Sequence, residues 1–307
     1  MKQILPAVLF LIAMNAFAQK AVVLQHNGIA TVFSTTNPLG DAYAAAVSGD
    51  TIYLPGGVFP GLGISKRLAI FGTGHYPDST MATGVSNVAS IEFQAGSDKS
   101  IIQGLNVGGI SFQHNIRIDS VVVARCNAGT FYINGENNLA THCRGILIYQ
   151  NVIGDMVLIH SSGVRVFNNI ISGLHEMRTN TWIRNNKING LYNCYYTLLE
   201  NNTIASYASG IDFSSNNSTG NYTGVGSANI LMNWTSSSYL YTDNYHLKTP
   251  LTHIGSDGTQ VGIYGGLRPW KEGSLPLNPH IQSKTIADKT NTSGQIQVQV
   301  KVVAQSN

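Results

Sequence analysis

Charge is scarce in this 307-residue chain: Asp, Glu, Lys and Arg together supply 11% of it. Soluble helices spend those residues on their wet faces, so their scarcity argues against a helical bundle or long coiled coil and excludes a charged disordered tail. Cysteine is nearly absent, with Cys126, Cys143 and Cys194 alone. Three cysteines admit one intrachain bridge at most, which rules out a disulfide-built scaffold. Their spacings match no zinc or haem motif, so they read as small core residues, and no metal or other cofactor is expected. Basic runs stop at the pair Lys66-Arg67 and the net charge is +3, too weak to draw nucleic acid or an anionic membrane as partner. No apolar stretch approaches the roughly 20 residues needed to span a bilayer.

What the chain does spend is Gly, Ser, Thr and above all Asn, with 32 Gly and 29 Asn, a composition of strands and turns. Its first residues have a recognisable order. Lys2 precedes the apolar run Ile4 to Ala13, and Ala16-Phe17-Ala18 forms a small-x-small site before Gln19. This pattern predicts a secretory signal over residues 1–18 that is cleaved, and hence a secreted, periplasmic or cell-surface protein.

Internal repetition is the strongest signal. Ile148-Tyr-Gln-Asn151-Val-Ile153, Val166-Phe-Asn-Asn169-Ile-Ile171, Ile183-Arg-Asn-Asn186-Lys-Ile188 and Leu199-Glu-Asn-Asn202-Thr-Ile204 align, with their key asparagines 18, 17 and 16 residues apart. The frame continues upstream through Val123, Cys126 and Ala128 and through Ile102, Leu105 and Val107. A period of about 16–25 residues built on a short β-rich segment predicts one turn of a parallel β-solenoid per repeat. Apolar residues then stack inward from coil to coil, and a buried Asn is satisfied by hydrogen bonds along a ladder of its equivalents.

These residues resemble the right-handed parallel β-helix proteins of the pectate-lyase-like superfamily over roughly residues 39–265. The opening, Leu39-Gly-Asp-Ala-Tyr-Ala-Ala-Ala-Val-Ser-Gly-Asp-Thr-Ile-Tyr-Leu-Pro-Gly-Gly-Val-Phe59, is similar to the capping helix, Gly-Asp turn and first coil strand of that family. Asp41 is the expected N-cap of the helix, which shields the open solenoid end from strand recruitment. The segment Gly255-Ser-Asp-Gly-Thr-Gln-Val-Gly-Ile-Tyr-Gly-Gly266 is similar to the closing segment of secreted bacterial members. The expected fold is therefore all-β, a right-handed parallel β-helix with a short N-terminal capping helix and an irregular C-terminal extension. The expected divisions are an N-terminal strand and capping helix over 19–50, the β-helix over 51–266 and an extension over 267–307. That extension carries Pro269, Pro276 and Pro279 as an irregular cover over the last coils, then Gln295 to Val303, whose alternation predicts a half-buried strand.

Fold alone leaves function open. The coil frame places three outward rows: Tyr149, Phe167, Arg184, Glu200; Leu147, Arg165, Trp182, Leu198; and, just after the Asn, Val152, Ile170, Lys187, Thr203. Arg165, Trp182, Arg184, Lys187 and Glu200 are then expected within a patch of about 15 Å. Guanidinium groups fork onto carboxylates and aromatic faces stack on sugar rings, so this is the expected substrate-binding surface for an acidic polysaccharide. The competing reading is a solvated ladder of opposite charges on neighbouring strands.

A second set lies in the following turns: His160, then His175-Glu176-Met177-Arg178, then Tyr192, Tyr195 and Tyr196. Those residue types suit abstraction of a proton beside a uronate carboxyl and protonation of the leaving oxygen. Against catalysis, the motifs that the resemblance would bring are absent. There is no Trp-Ile-Asp-His segment and no Asn-Thr-Asp, Asp-Asp, Gly-His-Asp or Arg-Ile-Lys; Arg117-Ile118-Asp119 keeps only part of the last. Asp119, Asp155 and Asp212 are isolated, which gives neither a calcium site nor a carboxylate pair. Two functions follow as expectations: an exported β-helix that binds or processes polysaccharide, or a non-catalytic surface or structural solenoid. Whether segments 72–90, 130–145 and 206–229 gather beside the Arg165 to Glu200 face separates a groove from an open face. Tyr239, Tyr241 and Tyr245 are expected to seal the last coils by aromatic stacking.

Overall fold

The computed structural model describes residues 20–134, 142–159, 161–175, 180–195, 197–208, 211, 218–235 and 238–304. Within them the chain winds as a parallel β-solenoid of about eight turns. Each turn gives one short strand to sheet 1, turns a corner, and gives a longer or broken strand to sheet 2. Sheet 1 runs from Thr51–Tyr53 through Ala69–Phe71, Ile101–Gln103, Val122–Ala124, Leu147–Tyr149, Arg165–Phe167, Trp182–Arg184 and Leu198–Glu200 to Ser218–Thr219. Sheet 2 stacks Gly57–Phe59, Ser86–Val88, Asn106–Phe112, Asn127–Asn134, Val152–Ile159, Ile170–His175, Lys187–Tyr192, Thr203–Tyr207 and Tyr222–Thr223.

The register is the one the repeat predicts. Ile102, Val123, Ile148, Val166, Ile183 and Leu199 pair in succession, each with 1% or less of its surface exposed. Strands so paired lie about 4.8 Å apart, which makes the inward Ile, Val and Leu one continuous apolar column.

The corner between the sheets has a sequence cause. Arg125, Gln150, Asn168, Asn185 and Asn201 all adopt φ of 52–56°, a left-handed conformation that Asn tolerates better than most residues. The next residue turns inward. The side-chain Oδ1 of Asn169 accepts from the Asn151 N–H at 2.9 Å and from its amide at 3.0 Å. Asn186 does the same for Asn169, Asn202 for Asn186 and Asn221 for Asn202. Cys126 begins the ladder by donating its N–H to Asn151 Oδ1. Asn221 is a fifth rung that the sequence alignment did not include.

The cap differs in one detail from expectation. The helix spans Pro38–Ala45 and its N-cap is Asn37, whose side chain accepts from the Gly40 N–H; Asp41 sits in the first turn and accepts from the Thr35 hydroxyl instead. An antiparallel hairpin, Val22–His26 with Ile29–Phe33, continues sheet 1 beyond the first coil.

The C-terminal part is a strap rather than a cover over the last coils only. Residues 255–277 run back along the corner, and the outward side chains at or beside the left-handed positions hold them. Asn201 Oδ1 accepts from the Ser256 N–H (2.8 Å); Asn168 donates to the Ile263 and Gly265 carbonyls (both 2.8 Å). Gln150 donates to the Pro269 carbonyl (2.6 Å) and Arg125 to that of Leu275 (2.6 Å). Gly265 and Gly266 are required here, because a Cβ on them would lie 2.7 and 2.6 Å from the Asn185 amide atoms. The final strand, Val298–Val303, pairs with His280–Ile286. Contrary to the half-buried expectation, Val298, Val300 and Val302 are exposed, since the hairpin lays neither face on the solenoid core. All three cysteines are free and buried, and no helix among the described residues is long and apolar enough to cross a membrane.

Candidate functional site

The outer face of sheet 1 carries aromatic and cationic groups on successive strands. Tyr149, Phe167, Arg184 and Glu200 are paired in one row, and Leu147, Arg165, Trp182 and Leu198 in the next. Phe167 meets the Trp182 ring edge-on, with centroids 5.2 Å apart. The strap supplies one wall: the Arg268 guanidinium lies over the Tyr149 ring at 4.8 Å, within cation–π reach. A hollow of about 140 Å³ is lined by Phe167, Trp182, Arg184, Leu267 and Arg268. A second, of about 390 Å³, lies between Tyr149, Gln150, Arg268 and Lys271.

The cations on this face are not equivalent. Arg184 is committed, with Nη2 2.7 Å from Asp257 Oδ2 and Nε 3.7 Å from Glu200 Oε2. Glu200 also accepts from the Trp182 indole at 2.9 Å, so Trp182, Arg184 and Glu200 form one network. Burial raises the Asp257 carboxyl, but the Thr259 N–H and hydroxyl and the Arg184 guanidinium outweigh it and hold the group below the ordinary carboxylate range. Asp257 is thus an anion at neutral pH and no proton donor. Arg165 and Arg268, by contrast, make no ion pair with any described residue.

Lys187 does not belong to this face. The residue after the ladder Asn opens sheet 2, so Lys187 points out of the other sheet and there meets a cover formed by residues 227–235 and 238–270. Val152 and Ile170, its equivalents on earlier coils, pack with Ile230, Leu231, Leu247, Val261, Ile263 and Trp270. Lys187 is 2% exposed, lies 3.5 Å from the Trp234 ring centroid and donates to the Asn189 side chain. Desolvation pulls its pKa down to about 6 despite nearby Asp243.

Of the turn cluster, His160, Glu176, Met177, Arg178 and Tyr196 lie outside the described residues, as does Asp212. His175 and Tyr192 are stacked with ring centroids 4.6 Å apart, and His175 Nε2 lies 3.5 Å from Asp155 Oδ1, too long for a well-formed hydrogen bond. Tyr195 is exposed nearby in sequence. Arg117 and Asp119 pair locally, Nη2 to Oδ2, at 2.6 Å. Among the described residues no three His, Cys, Asp or Glu side chains converge as metal ligands.

The tyrosines of the C-terminal region cover sheet 2 rather than the solenoid end. Tyr241 hydrogen-bonds Asn127 and His75, and Tyr239 packs between Tyr241 and Tyr245. The described parts of the long segments do not form the groove wall. Segment 72–85 leaves at the corner after sheet 1, whereas 130–134 and 206–207 belong to sheet 2; 135–141, 209–210 and 212–217 lie outside the described residues. The wall is Leu267 to Lys271, and Arg268 and Asp257 are site residues the repeat frame did not reach. Their only sequence signal is the polar turn Gly255-Ser-Asp-Gly and the prolines that keep the strap extended. No family model, curated protein or solved structure matches the chain.

Proposed function

We propose that this protein is an exported β-helix, akin to the pectate-lyase-like superfamily, that binds an acidic polysaccharide on the outer face of sheet 1 without cleaving it there. One observation carries the reading: Arg165 and Arg268 have no carboxylate partner among the described residues, and they flank a row of aromatic rings. A guanidinium without a carboxylate partner forks onto a uronate carboxylate, while the partly exposed Phe167 and Trp182 offer surfaces to sugar rings. Catalysis at this face lacks its parts. Glu200 and Asp257 both engage Arg184, and Asp257 is held ionised, whereas glycoside cleavage needs a protonated acid and lyase chemistry needs a free base.

The test is retention of purified protein in gels containing polygalacturonate, alginate, hyaluronate or neutral dextran, while unsaturated uronates and new reducing ends are followed. Retention by acidic polymers alone, weakened by salt and lost in Arg165→Gln/Arg268→Gln, is the expected result. Products that vanish in Arg184→Ala would instead make the face an active site, and absence of retention on the whole panel would leave a structural solenoid.

A further inference from the structure

A strand at the edge of a sheet presents unpaired N–H and C=O groups, and natural proteins blunt such edges with short strands, bulges, Lys or Pro. The described edges of this molecule follow that rule at every end of the solenoid but one. Sheet 1 ends downstream at Ser218–Thr219 and sheet 2 at Tyr222–Thr223, each two residues long. Sheet 2 begins upstream at the three-residue strand Gly57–Phe59, where Lys20 donates to the Val58 carbonyl. Outside the solenoid, the strands of the C-terminal hairpin are longer, but they carry Lys284, Lys301 and a bulge beside Ile281.

The exception is Ile29–Phe33, which closes the upstream end of sheet 1. Among the described residues it pairs only with Val22–His26, and it runs five residues without bulge, Pro or charge. Residues 27–40 hold no charged side chain at all. The capping helix sinks Leu39 and Ala42 into the core of the coil but leaves this strand bare, with Ile29 and Val32 70% and 59% exposed. The hairpin turn fixes what the edge offers. Asn27 and Gly28 have φ of 48° and 81°, and a two-residue turn of this kind makes the flanking pair, His26 and Ile29, exchange hydrogen bonds. The alternation along the strand then turns the N–H and C=O of Ala30 and Val32 outward.

We infer that this edge is a dimer interface, in which Ile29–Phe33 of two copies pair antiparallel about a two-fold axis at Thr31. Ala30 and Val32 exchange backbone hydrogen bonds with Val32 and Ala30 of the second copy. Thr31 meets its own equivalent at the close, non-hydrogen-bonded position, and Ile29 meets Phe33. Thr with Thr and aromatic with β-branched are favourable cross-strand pairs. A second copy is therefore favoured over an unrelated strand, because the sequence is its own complement in this register and sets no charge against a like charge. The two-fold contact also closes on itself, whereas a head-to-tail stack would offer the strand only the two-residue edge Ser218–Thr219. So short a pairing buries less than a standard interface of about 1,200–2,000 Å², and a Kd of about 1–100 µM is expected. The axis of an antiparallel pair runs perpendicular to the sheet, so the outer faces of both copies of sheet 1 meet the interface on the same side and a dimer offers a long polymer two binding faces. The pairing itself is independent of the glycan reading.

The test is sedimentation velocity of the purified protein from about 1 to 200 µM, which brackets that constant, with folding followed by circular dichroism. A monomer–dimer equilibrium is expected. Thr31→Lys and Thr31→Glu each set like charges face to face at the axis and should weaken dimerisation about tenfold or more. Thr31 is exposed, so neither change should alter the fold. An equimolar mixture of the two variants should dimerise again, because Lys then faces Glu. A protein monomeric throughout the range, a dimer equally strong in both variants, or a mixture no more dimeric than its components would overturn the proposal, as would assemblies that grow beyond a dimer.

Discussion

Asn168 and Asn169 are neighbours in the chain and spend identical side chains on opposite sides of the solenoid wall. Asn168, in a left-handed conformation, reaches outward to the Ile263 and Gly265 carbonyls of the strap. Asn169 turns inward, accepts from Asn151 and donates to Asn186. One tells the strap where to lie, and the other closes the coil.

The two positions should therefore fail differently. Asn169→Ala strands the buried Asn151 N–H, leaves the Asn151 amide only its bond to the Val123 carbonyl, and is expected to cost about 3 kcal/mol in denaturant unfolding, since each unsatisfied buried group costs about 1–3 kcal/mol. Asn168→Ala should cost less globally, about 1–2 kcal/mol, from lost strap bonds and a strained left-handed residue. Its signature is faster amide exchange at the strap, beginning with the Gly265 N–H; equal protection in both variants would contradict the division of roles.

Lys187 is buried against Trp234, where desolvation holds its pKa near 6 against an unfolded value of 10.5. Between those values the unfolded chain binds the extra proton, so stability rises with pH across that window and falls toward its lower end. Lys187→Met is expected to stabilise the protein at pH 7 by roughly 1–4 kcal/mol and to remove that slope. Urea unfolding at pH 7 and pH 9 checks it; a destabilised Met variant would mean that the charge is retained and paired.

His75 gives the same sign at lower pH. It is buried beneath Tyr241, and burial lowers its pKa to about 3 from 6.5. Acidification from 6.5 toward 3 charges the unfolded state first, so the native state should lose about 1.4 kcal/mol per pH unit from this group. Thermal melts of His75→Phe and the parent over that range should differ in pH slope, with the variant the less acid-sensitive; equal slopes would mean that His75 is not responsible.

Much of this architecture was legible because it is local and periodic. Ile148, Val166, Ile183 and Leu199 repeat in sequence, and a solenoid turns sequence period directly into neighbouring strands. The outward rows followed from the same frame, and Tyr149 to Glu200 and Leu147 to Leu198 pair as it requires. The frame gave no warning about Lys187, because what covers it, Trp234 and its neighbours, has no period and returns from downstream. For the same reason Arg268 and Asp257 entered the site unannounced. They are carried by a strap whose course is set by bonds such as Gln150 to Pro269, 119 residues apart. Asn37, not Asp41, caps the helix because the chain enters one turn earlier, at Pro38.

Arg184 offers a gain-of-binding test. Asp257→Asn removes the nearer of its two carboxylates and frees the guanidinium for a ligand anion. The expected outcome is several-fold tighter retention by polygalacturonate, measured by affinity electrophoresis; unchanged retention would place the polymer away from Arg184.

The most direct measurement is a fluorescence titration with polygalacturonate at low and high salt, with Trp182→Phe as the reference. Binding at the sheet 1 face predicts a saturable change that weakens with salt, disappears in Trp182→Phe and is lost in Arg165→Gln/Arg268→Gln. An identical change in Trp182→Phe, or none at any salt concentration, would contradict it.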